Sequence, residues 1–296
     1  MKRFMTFGIM PAVFVVALCL VALFGSTSLT SPGLEPAAVT SPALQPGSSA
    51  DQIARRGVLR VGVKFDHPGL SMKNLRGEPE GFEVDMVEYI AAGMGLDKNA
   101  IEWVEVTSAN REQLLNQGKV DIVVATLTVT KKRLKLIDFA GPYLDIAQDL
   151  IVPKGNPGKI VSAQDPEGIR VCSTLGGSVS QATRATYPKV QLVEFDNSAK
   201  CIDAIKTGAV DTMATQGPIG AGYVSKDAEY LEMLGKPYKP EKWGIGLRKG
   251  NRSLCTFINE RLTTFEKDGS YAKAWTDSIG RYSKQPASLP KLTPCR

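Results

Sequence analysis

Histidine is nearly absent from this sequence, since His67 is the only one among 296 residues. Zinc hydrolases and serine-type triads depend on histidine, so His67 alone is available to such a site. No charge of one sign dominates either, because 36 basic residues stand against 30 acidic ones. A dedicated nucleic-acid binder concentrates its basic residues far more. The composition, 43% hydrophobic and 22% charged, is that of a folded protein and excludes a coiled coil or a collagen.

No C-x-x-C motif occurs among the five cysteines, so neither a redox motif nor a zinc ribbon is indicated. Cys19 lies within the apolar amino terminus. The other four cysteines are an even number and permit three connectivities. Four free thiols outside the cell would be a liability, so two disulfides are expected.

The amino terminus has the composition of an export signal. Two basic residues precede a dense apolar stretch over 9–24, whose length lies between a signal-peptide core and a membrane span. We therefore predict a signal peptide or membrane anchor over 1–25. Acylation at Cys19 is the weaker alternative, because Leu18 stands where a lipoprotein signal has a small residue. A mobile linker is predicted over 26–50, since 19 of these 25 residues are Ser, Thr, Pro, Gly or Ala.

From residue 51 onward, the spacing of apolar residues alternates between that of strands and that of helices. Such alternation predicts open, parallel-rich α/β sheets in two units, with a ligand at the carboxyl ends of the strands. Strands are predicted at 58–63, 101–106, 121–125, 150–152, 169–172, 190–195, 210–215 and 243–247. Helices are predicted at 82–95, 110–117, 178–186, 198–207, near Gly220, 253–268 and 271–279.

A further helix is predicted to start at Thr130. Its first turn would contain Lys131, Lys132, Arg133 and Lys135. Cations at a helix amino terminus oppose the macrodipole and need an explanation. An anionic ligand is one explanation, and a solvated basic face is the other.

Several segments between about Arg56 and about Gly280 carry a family resemblance. They read RVGVKFDHPGL at 60–70, GFEVD at 81–85, GKVD at 118–121, TVTKKR at 128–133, IDFAGPY at 137–143 and WGIGLRKG at 243–250. In order and spacing they resemble the extracytoplasmic solute-binding proteins of the polar amino-acid class, family 3. The glutamate-binding proteins of actinobacterial ABC importers are the most similar branch.

The resemblance implies a two-lobed periplasmic-binding-protein-like α/β fold of type II, with two crossover hinge strands and a ligand cleft between the lobes. Lobe one is expected over 51–152 and 248–296, and lobe two over 153–247. The implied function is to close around an amino acid, foremost glutamate (or aspartate or glutamine), and deliver it to ABC permease subunits. A monomer is expected, extracytoplasmic and either membrane-anchored or secreted. No catalytic residue, metal, cofactor or nucleic-acid partner is implied.

The implied lobes also bear on the disulfides. A pair within each lobe would leave the hinge free, whereas a pair across the lobes would lock it. The pairs implied are Cys172 with Cys201 and Cys255 with Cys295, each worth about 3–4 kcal/mol in loop entropy.

By resemblance, Arg133 clamps the α-carboxylate of an amino acid with two parallel hydrogen bonds. Thr126 offers a backbone carbonyl to the amine, and Thr128 offers a hydroxyl or amide to the carboxylate. The turn Gly176-Gly177-Ser178 lies where backbone N–H groups approach an anion at a helix end.

A second set of expected ligand contacts follows the first strand, at the mouth of the cleft: Lys64, Phe65, Asp66 and His67. Pairing of Lys64 with a side-chain carboxylate would favour glutamate or aspartate over glutamine, unless Asp66 neutralises it locally. His67 occupies a position where relatives place an aromatic ring, or is simply exposed. Arg111 either approaches the ligand side chain or braces its loop.

Gln216 departs from the family pattern, because relatives carry there an acidic residue that binds the ligand's α-ammonium group. Loss of a charge-assisted bond costs about 1–2 kcal/mol. Three consequences stay open: the affinity is modest, Asp66 or Glu194 compensates, or the ligand has no primary amine.

Two other classes of function remain at this stage. One is an enzyme on the same scaffold, for which Asp66, His67 and Glu194 are the candidate acids or bases. The other is a sensor or accessory protein that signals through a membrane partner, which an uncleaved apolar segment would favour.

Overall fold

The computed structural model describes residues 44–162, 168–283 and 286–295. The predicted signal peptide or anchor over 1–25 lies outside these ranges, and so does most of the predicted linker. Across the described ranges, no helix combines the length and the hydropathy needed to cross a bilayer.

Helices and strands alternate along the described chain, as the apolar periodicity predicts. The α-helices are α1 Ser49–Arg56, α2 Phe82–Gly93, α3 Arg111–Asn116, α4 Ser178–Thr186, α5 Ser198–Lys206, α6 Gly217–Lys226, α7 Arg252–Lys267 and α8 Ser270–Asp277. The strands are β1 Leu59–Val63, β2 Asp66–His67, β3 Ser71–Lys73, β4 Pro79–Glu80, β5 Ile101–Glu105, β6 Ile122–Val123, β7 Ile137–Pro153, β8 Arg170–Thr174, β9 Gln191–Phe195, β10 Thr212–Gln216, β11 Leu231–Met233 and β12 Tyr238–Arg248. Short 3-10 turns lie at Lys98–Ala100, Arg133–Lys135 and Ile279–Arg281.

One large sheet runs through both lobes in the strand order β5-β1-β6-β12-β7-β10-β8-β9. In lobe one, β1 pairs in parallel with β5 and β6. In lobe two, β8 pairs in parallel with β9 and β10. The antiparallel pair β7–β12 joins the two parallel groups and supplies the two crossover strands. The expected two-lobed α/β architecture is thereby confirmed, while the lobe boundaries at 152/153 and 247/248 stay a prediction.

An aspartate holds the start of a parallel strand in each lobe. Asp121 accepts hydrogen bonds from the backbone and the guanidinium of Arg60, at 2.8 and 3.0 Å. Asp211 accepts the same pair of bonds from Arg170, at 2.8 and 2.6 Å. The GKVD segment at 118–121 therefore has a structural role, because its aspartate anchors the start of β1. The carboxyl ends of both groups of parallel strands lie in the same region.

The core of lobe one is closed by aromatic rings from helices distant in sequence. The ring of Phe82, at the start of α2, meets the rings of Tyr271 and Trp275 edge to face at 5.1 and 5.7 Å. Edge-to-face contacts of this kind are favourable beyond the area that they bury. Because Phe82 follows Gly81 directly, this packing also fixes the loop that leads back toward the first strand.

The structure joins Cys172 to Cys201 and Cys255 to Cys295. The first bond ties β8 to α5, and the second ties α7 to the C-terminal tail. Neither bond crosses between the lobes, so both leave the crossover strands free to bend, as the resemblance implied.

Three predictions about secondary structure need correction. The helix predicted after Thr130 is only the 3-10 turn Arg133–Lys135, because the chain enters β7 at Ile137. A single short turn has little dipole, so the argument from cations at a helix terminus falls. The linker predicted to end at residue 50 ends earlier, because Ser48 caps α1 by accepting a bond from the N–H of Asp51. Finally, β7 is much longer than the predicted strand at 150–152, since its first part pairs with β12 rather than following a regular apolar period.

Candidate ligand-binding site

The carboxyl ends of four parallel strands meet at one small cavity between the lobes. Lys64 follows β1, Thr126 lies three residues beyond β6, Thr174 ends β8 and Gln216 ends β10. The cavity is narrow in this arrangement of the lobes, with a volume of about 20 Å³. Its position agrees with the rule that ligands of parallel α/β sheets bind beyond the carboxyl ends of strands. The lining residues are Lys64, His67, Ser108, Arg111, Thr126, Ser173, Thr174, Gly177, Ser178, Val179, Ala214, Thr215, Gln216 and Ile219.

The lobe-one wall of this cavity is basic and short of acceptors. Lys64 is 3% exposed, and its ammonium forms no hydrogen bond or ion pair within the described residues. Arg111 is 2% exposed; its Nη1 donates to the carbonyl of Ala125 at 2.5 Å, but its Nε has no partner there. Buried polar groups are ordinarily hydrogen-bonded, so these two donors indicate a site that is completed by an acceptor.

Burial changes the protonation chemistry of the same wall. It lowers the pKa of Lys64 to about 8, although the nearby Asp66 partly opposes the change. Burial and the neighbouring Arg133 lower the pKa of Arg111 to about 9, so the guanidinium stays charged at neutral pH. Both groups are therefore cations held at a cost in free energy that a bound anion would offset.

His67 lies in the same wall but is a neutral side chain. It is 1% exposed, its Nε2 lies 3.3 Å from Ser198 Oγ, and its Nδ1 has no partner within the described part of the chain. Burial lowers the pKa of His67 to about 3, despite the opposing charge of Asp66. At neutral pH the imidazole is uncharged and can serve as a hydrogen-bonding group. The alternative of an exposed histidine is wrong.

A buried carboxylate behind this wall holds an unusual backbone turn. Thr126 has a positive φ of 49°, which is rare for a β-branched residue. Glu83 Oε1 accepts from the N–H of Thr126 at 2.7 Å and from the hydroxyl of Tyr143. Burial raises the pKa of Glu83, and these hydrogen bonds oppose the change. Glu83 thus holds the backbone turn that places Thr126 in the cavity lining.

The opposite wall comes from the start of α4 in lobe two. The N-cap residue Gly177 provides no side-chain cap, so the first N–H groups of α4 are left to other acceptors. Ser178 Oγ lies 3.0 Å from Thr128 Oγ1 across the cleft. Gly176 has a φ of +76°, and a Cβ there would lie 2.8 Å from the Cα of Ala109. Glycine at this position therefore permits the close approach of the two lobes.

Arg133 lies next to the cavity but does not line it. Its Nε donates to Glu112 Oε1 at 2.6 Å, and its two terminal nitrogens donate to the carbonyls of Thr128 and Gly176 at 3.0 and 3.3 Å. The side chain of Arg133 is 6% exposed, and its guanidinium bridges the lobes through Gly176. Its predicted contact with a ligand carboxylate is not tested by this arrangement and stays a prediction.

Phe65 and Asp66 also lie outside the cavity lining. The ring of Phe65 instead packs under the ammonium of Lys73, 4.2 Å from the ring centroid. Asp66 connects the lobes, because its Oδ2 accepts from the N–H of Ser198 at 2.7 Å. Its other oxygen, Oδ1, lies 3.6 Å from Nε2 of His67.

Glu194 does not line the cavity either. Its carboxylate accepts from Ser180 Oγ and pairs with Arg184. These contacts engage it with α4 rather than with Gln216. Of the three candidate acids or bases for an enzyme, only His67 lines the cavity.

Sequence reasoning missed part of the lining and two buried carboxylates. Ser173, Thr174 and Thr215 were accessible to it, since they occupy the carboxyl ends of predicted strands. Glu83 and Glu241 were not, because their partners are distant in sequence. No cluster of three or more metal-ligating side chains occurs among residues 44–162, 168–283 and 286–295.

Comparisons with known proteins agree with this architecture. The sequence pattern of the bacterial extracellular solute-binding proteins, family 3, matches residues 59–278. The glutamate-binding protein GluB of Corynebacterium glutamicum is 34% identical over 275 residues, which cover 88% of this chain and 90% of that protein. The ABC transporter glutamine-binding protein GlnH of Bacillus subtilis is 35% identical over 212 residues, which cover 71% of this chain and 77% of that protein.

A solved structure gives the same result for the fold. The solute receptor for L-cysteine of Neisseria gonorrhoeae has a TM-score of 0.75 with 26% identity, covering 82% of this chain and 99% of that one. The three similar proteins are named for three different amino acids, so the choice of ligand depends on the chemistry of this chain's own cavity.

Proposed function

Because the chain belongs to the bacterial extracellular solute-binding proteins, family 3, we propose that it is the receptor of an ABC importer for an acidic amino acid. Glutamate is the first candidate and aspartate the second. The observation that carries the proposal is the pair of buried cations in the cavity lining, Lys64 and Arg111, of which the Nε of Arg111 has no hydrogen-bond partner in the described chain. A neutral side chain such as that of glutamine would add no negative charge to the partial compensation that Asp66 and Glu83 give these cations.

The proposal assigns the two carboxylates of the ligand to opposite walls. The side-chain carboxylate lies between Lys64 and Arg111, where it accepts from Nζ and Nε. The α-carboxylate faces the uncapped start of α4, at Gly177 and Ser178, with the macrodipole favourable to an anion. Arg133 holds this wall against lobe one through Gly176 and adds positive charge beside it.

Closure of the lobes around the ligand would then present the closed form to permease subunits. Contacts between the lobes already close the cleft around this narrow cavity, so the lobes must separate to admit a ligand: Asp66 contacts the N–H of Ser198, and Thr128 contacts Ser178. A ligand that touches both walls stabilises this state by its differential affinity for it. Export through the segment at 1–25, an extracytoplasmic location and a monomeric state belong to the same proposal.

The experiment is calorimetric titration of the purified protein with glutamate, aspartate, glutamine, asparagine and glutarate. We expect binding of glutamate or aspartate, with the amides at least tenfold weaker, since roughly 1.4 kcal/mol of lost charge pairing corresponds to a factor of ten. Lys64→Met should abolish this preference, whereas Lys98→Met, at an exposed lysine of the same lobe, should preserve it. Equal affinity for glutamate and glutamine, or silence with every acidic ligand, would overturn the proposal.

A further inference from the structure

Gln216 is held by a carboxylate that sequence reasoning did not identify. Its Nε2 lies 3.0 Å from Glu241 Oε2, 2.9 Å from Thr128 Oγ1 and 3.1 Å from Ser178 Oγ. A carboxylate accepts hydrogen bonds and cannot donate them, so the amino end of the Gln216 amide must face Glu241. The two hydroxyls can adapt to either orientation of the amide, but Glu241 cannot.

This orientation decides what Gln216 offers to a ligand. With Nε2 turned toward Glu241, the carbonyl oxygen Oε1 is the free end of the amide. It accepts no hydrogen bond from any residue in the described ranges. Because Gln216 lines the cavity, Oε1 is the end of the amide that remains to accept a hydrogen bond from a ligand, which suits an ammonium group and not a carboxylate.

Glu241 itself is enclosed by donors. Gln148 Nε2 donates to its Oε1 at 2.9 Å, and Ser178 Oγ donates to its Oε2 at 3.3 Å. The side chain is 7% exposed and also forms an ion pair at 3.8 Å with Lys239, whose side chain is half exposed. Glu241 thus places a carboxylate directly behind the residue that replaces the family's acid.

We propose that Glu241 is a positioning and specificity-determining residue for the α-ammonium group of the ligand. It orients Gln216 Oε1 toward that group and supplies the negative charge from behind the amide, where a low effective dielectric preserves the attraction. The inference rests on the proposed function, because it presupposes an amino-acid ligand. It explains how a receptor without the usual acid at position 216 still selects for an amine.

The test compares glutamate with glutarate, which has both carboxylates but no amino group. In Glu241→Gln the Kd for glutamate should rise roughly tenfold, the equivalent of one charge-assisted bond, while the Kd for glutarate should stay unchanged. Glu241→Asp keeps the charge and should retain part of the preference for glutamate. The double variant Glu241→Gln/Gln216→Asp transfers the negative charge from position 241 to position 216, and it should restore the preference for glutamate over glutarate. Glu232→Gln, at a carboxylate of β11 that pairs with Lys154, is the matched control and should change neither affinity.

The outcomes separate the inference from the proposed function. An equal loss of affinity for glutamate and glutarate in Glu241→Gln would mean that Glu241 only braces the crossover strand, and would overturn the inference. Wild-type protein that binds glutarate but not glutamate would overturn it too, while leaving the anion site intact. Wild-type protein that binds neither of these nor aspartate would instead refute the proposed function.

Discussion

Raising the pH from 6.5 to 8.5 should weaken glutamate binding about fourfold, through the titration of Lys64. The pKa of this buried ammonium is lowered to about 8 in the ligand-free protein, against an ordinary value of 10.5. A carboxylate beside it favours the charged form and raises the pKa again. The complex therefore holds more protons than the free protein, so the affinity is greatest below pH 8 and falls as the pH rises. About half of the free Lys64 is neutral at pH 8, and binding there should take up about half a proton.

The assay is calorimetry at pH 8 in two buffers with different enthalpies of ionisation, since proton uptake makes the apparent enthalpy depend on the buffer. The variant Lys64→Met should show a much weaker dependence, because it has no group that titrates near pH 8 at this position. Buffer-independent enthalpies in the wild-type protein, together with a constant Kd between pH 6.5 and 8.5, would refute the assignment of Lys64 to the ligand's carboxylate.

Three further predictions concern stability. Lys64→Met should raise the free energy of unfolding of the ligand-free protein at pH 7 by up to about 3 kcal/mol, because a pKa lowered from 10.5 to about 8 means that the buried charge destabilises the folded state. Urea denaturation measures this free energy. A loss of stability in the variant would contradict the reasoning. Since the pKa of His67 falls from 6.5 to about 3 on folding, acidification through that window should cost the wild-type protein up to about 5 kcal/mol, and denaturation of His67→Asn across the same pH range should give a visibly flatter profile. Joint replacement of Cys255 and Cys295 by serine should lower the free energy of unfolding by about 4 kcal/mol, the loop entropy expected for a closed loop of this length. The Kd for glutamate should stay unchanged. A parallel loss of binding would mean that this disulfide supports the binding site.

Local sequence signals were sufficient for most of the helices and parallel strands. Helix α4 lies at Ser178–Thr186, as its spacing predicts, and β9 and α5 differ from their predicted bounds by a residue or so. The long strand β7 was mostly missed, because its order comes from antiparallel pairing with β12, almost a hundred residues away in sequence. No helix was predicted before the first strand, so helix α1 was missed. One reason is that Ser49 and Ala50 share the composition of the linker, although Ser48 is a good N-cap residue.

The site was predictable to the extent that the family resemblance and the strand ends indicate it. Together they selected five residues that line one cavity: Lys64, Arg111, Thr126, Ser178 and Gln216. The side-chain partners were not predictable. The engagement of Arg133 with Glu112, and the approach of Glu241 to Gln216, arise only when the lobes and the crossover strands are assembled.

The most direct test of the acidic amino-acid site is a crystal structure of the protein with glutamate. We predict that the side-chain carboxylate lies within hydrogen-bonding distance of Lys64 Nζ and Arg111 Nε, and that the amino group contacts Gln216 Oε1. A complex in which Lys64 and Arg111 do not touch the ligand, or in which a neutral part of the ligand lies against them, would contradict the account.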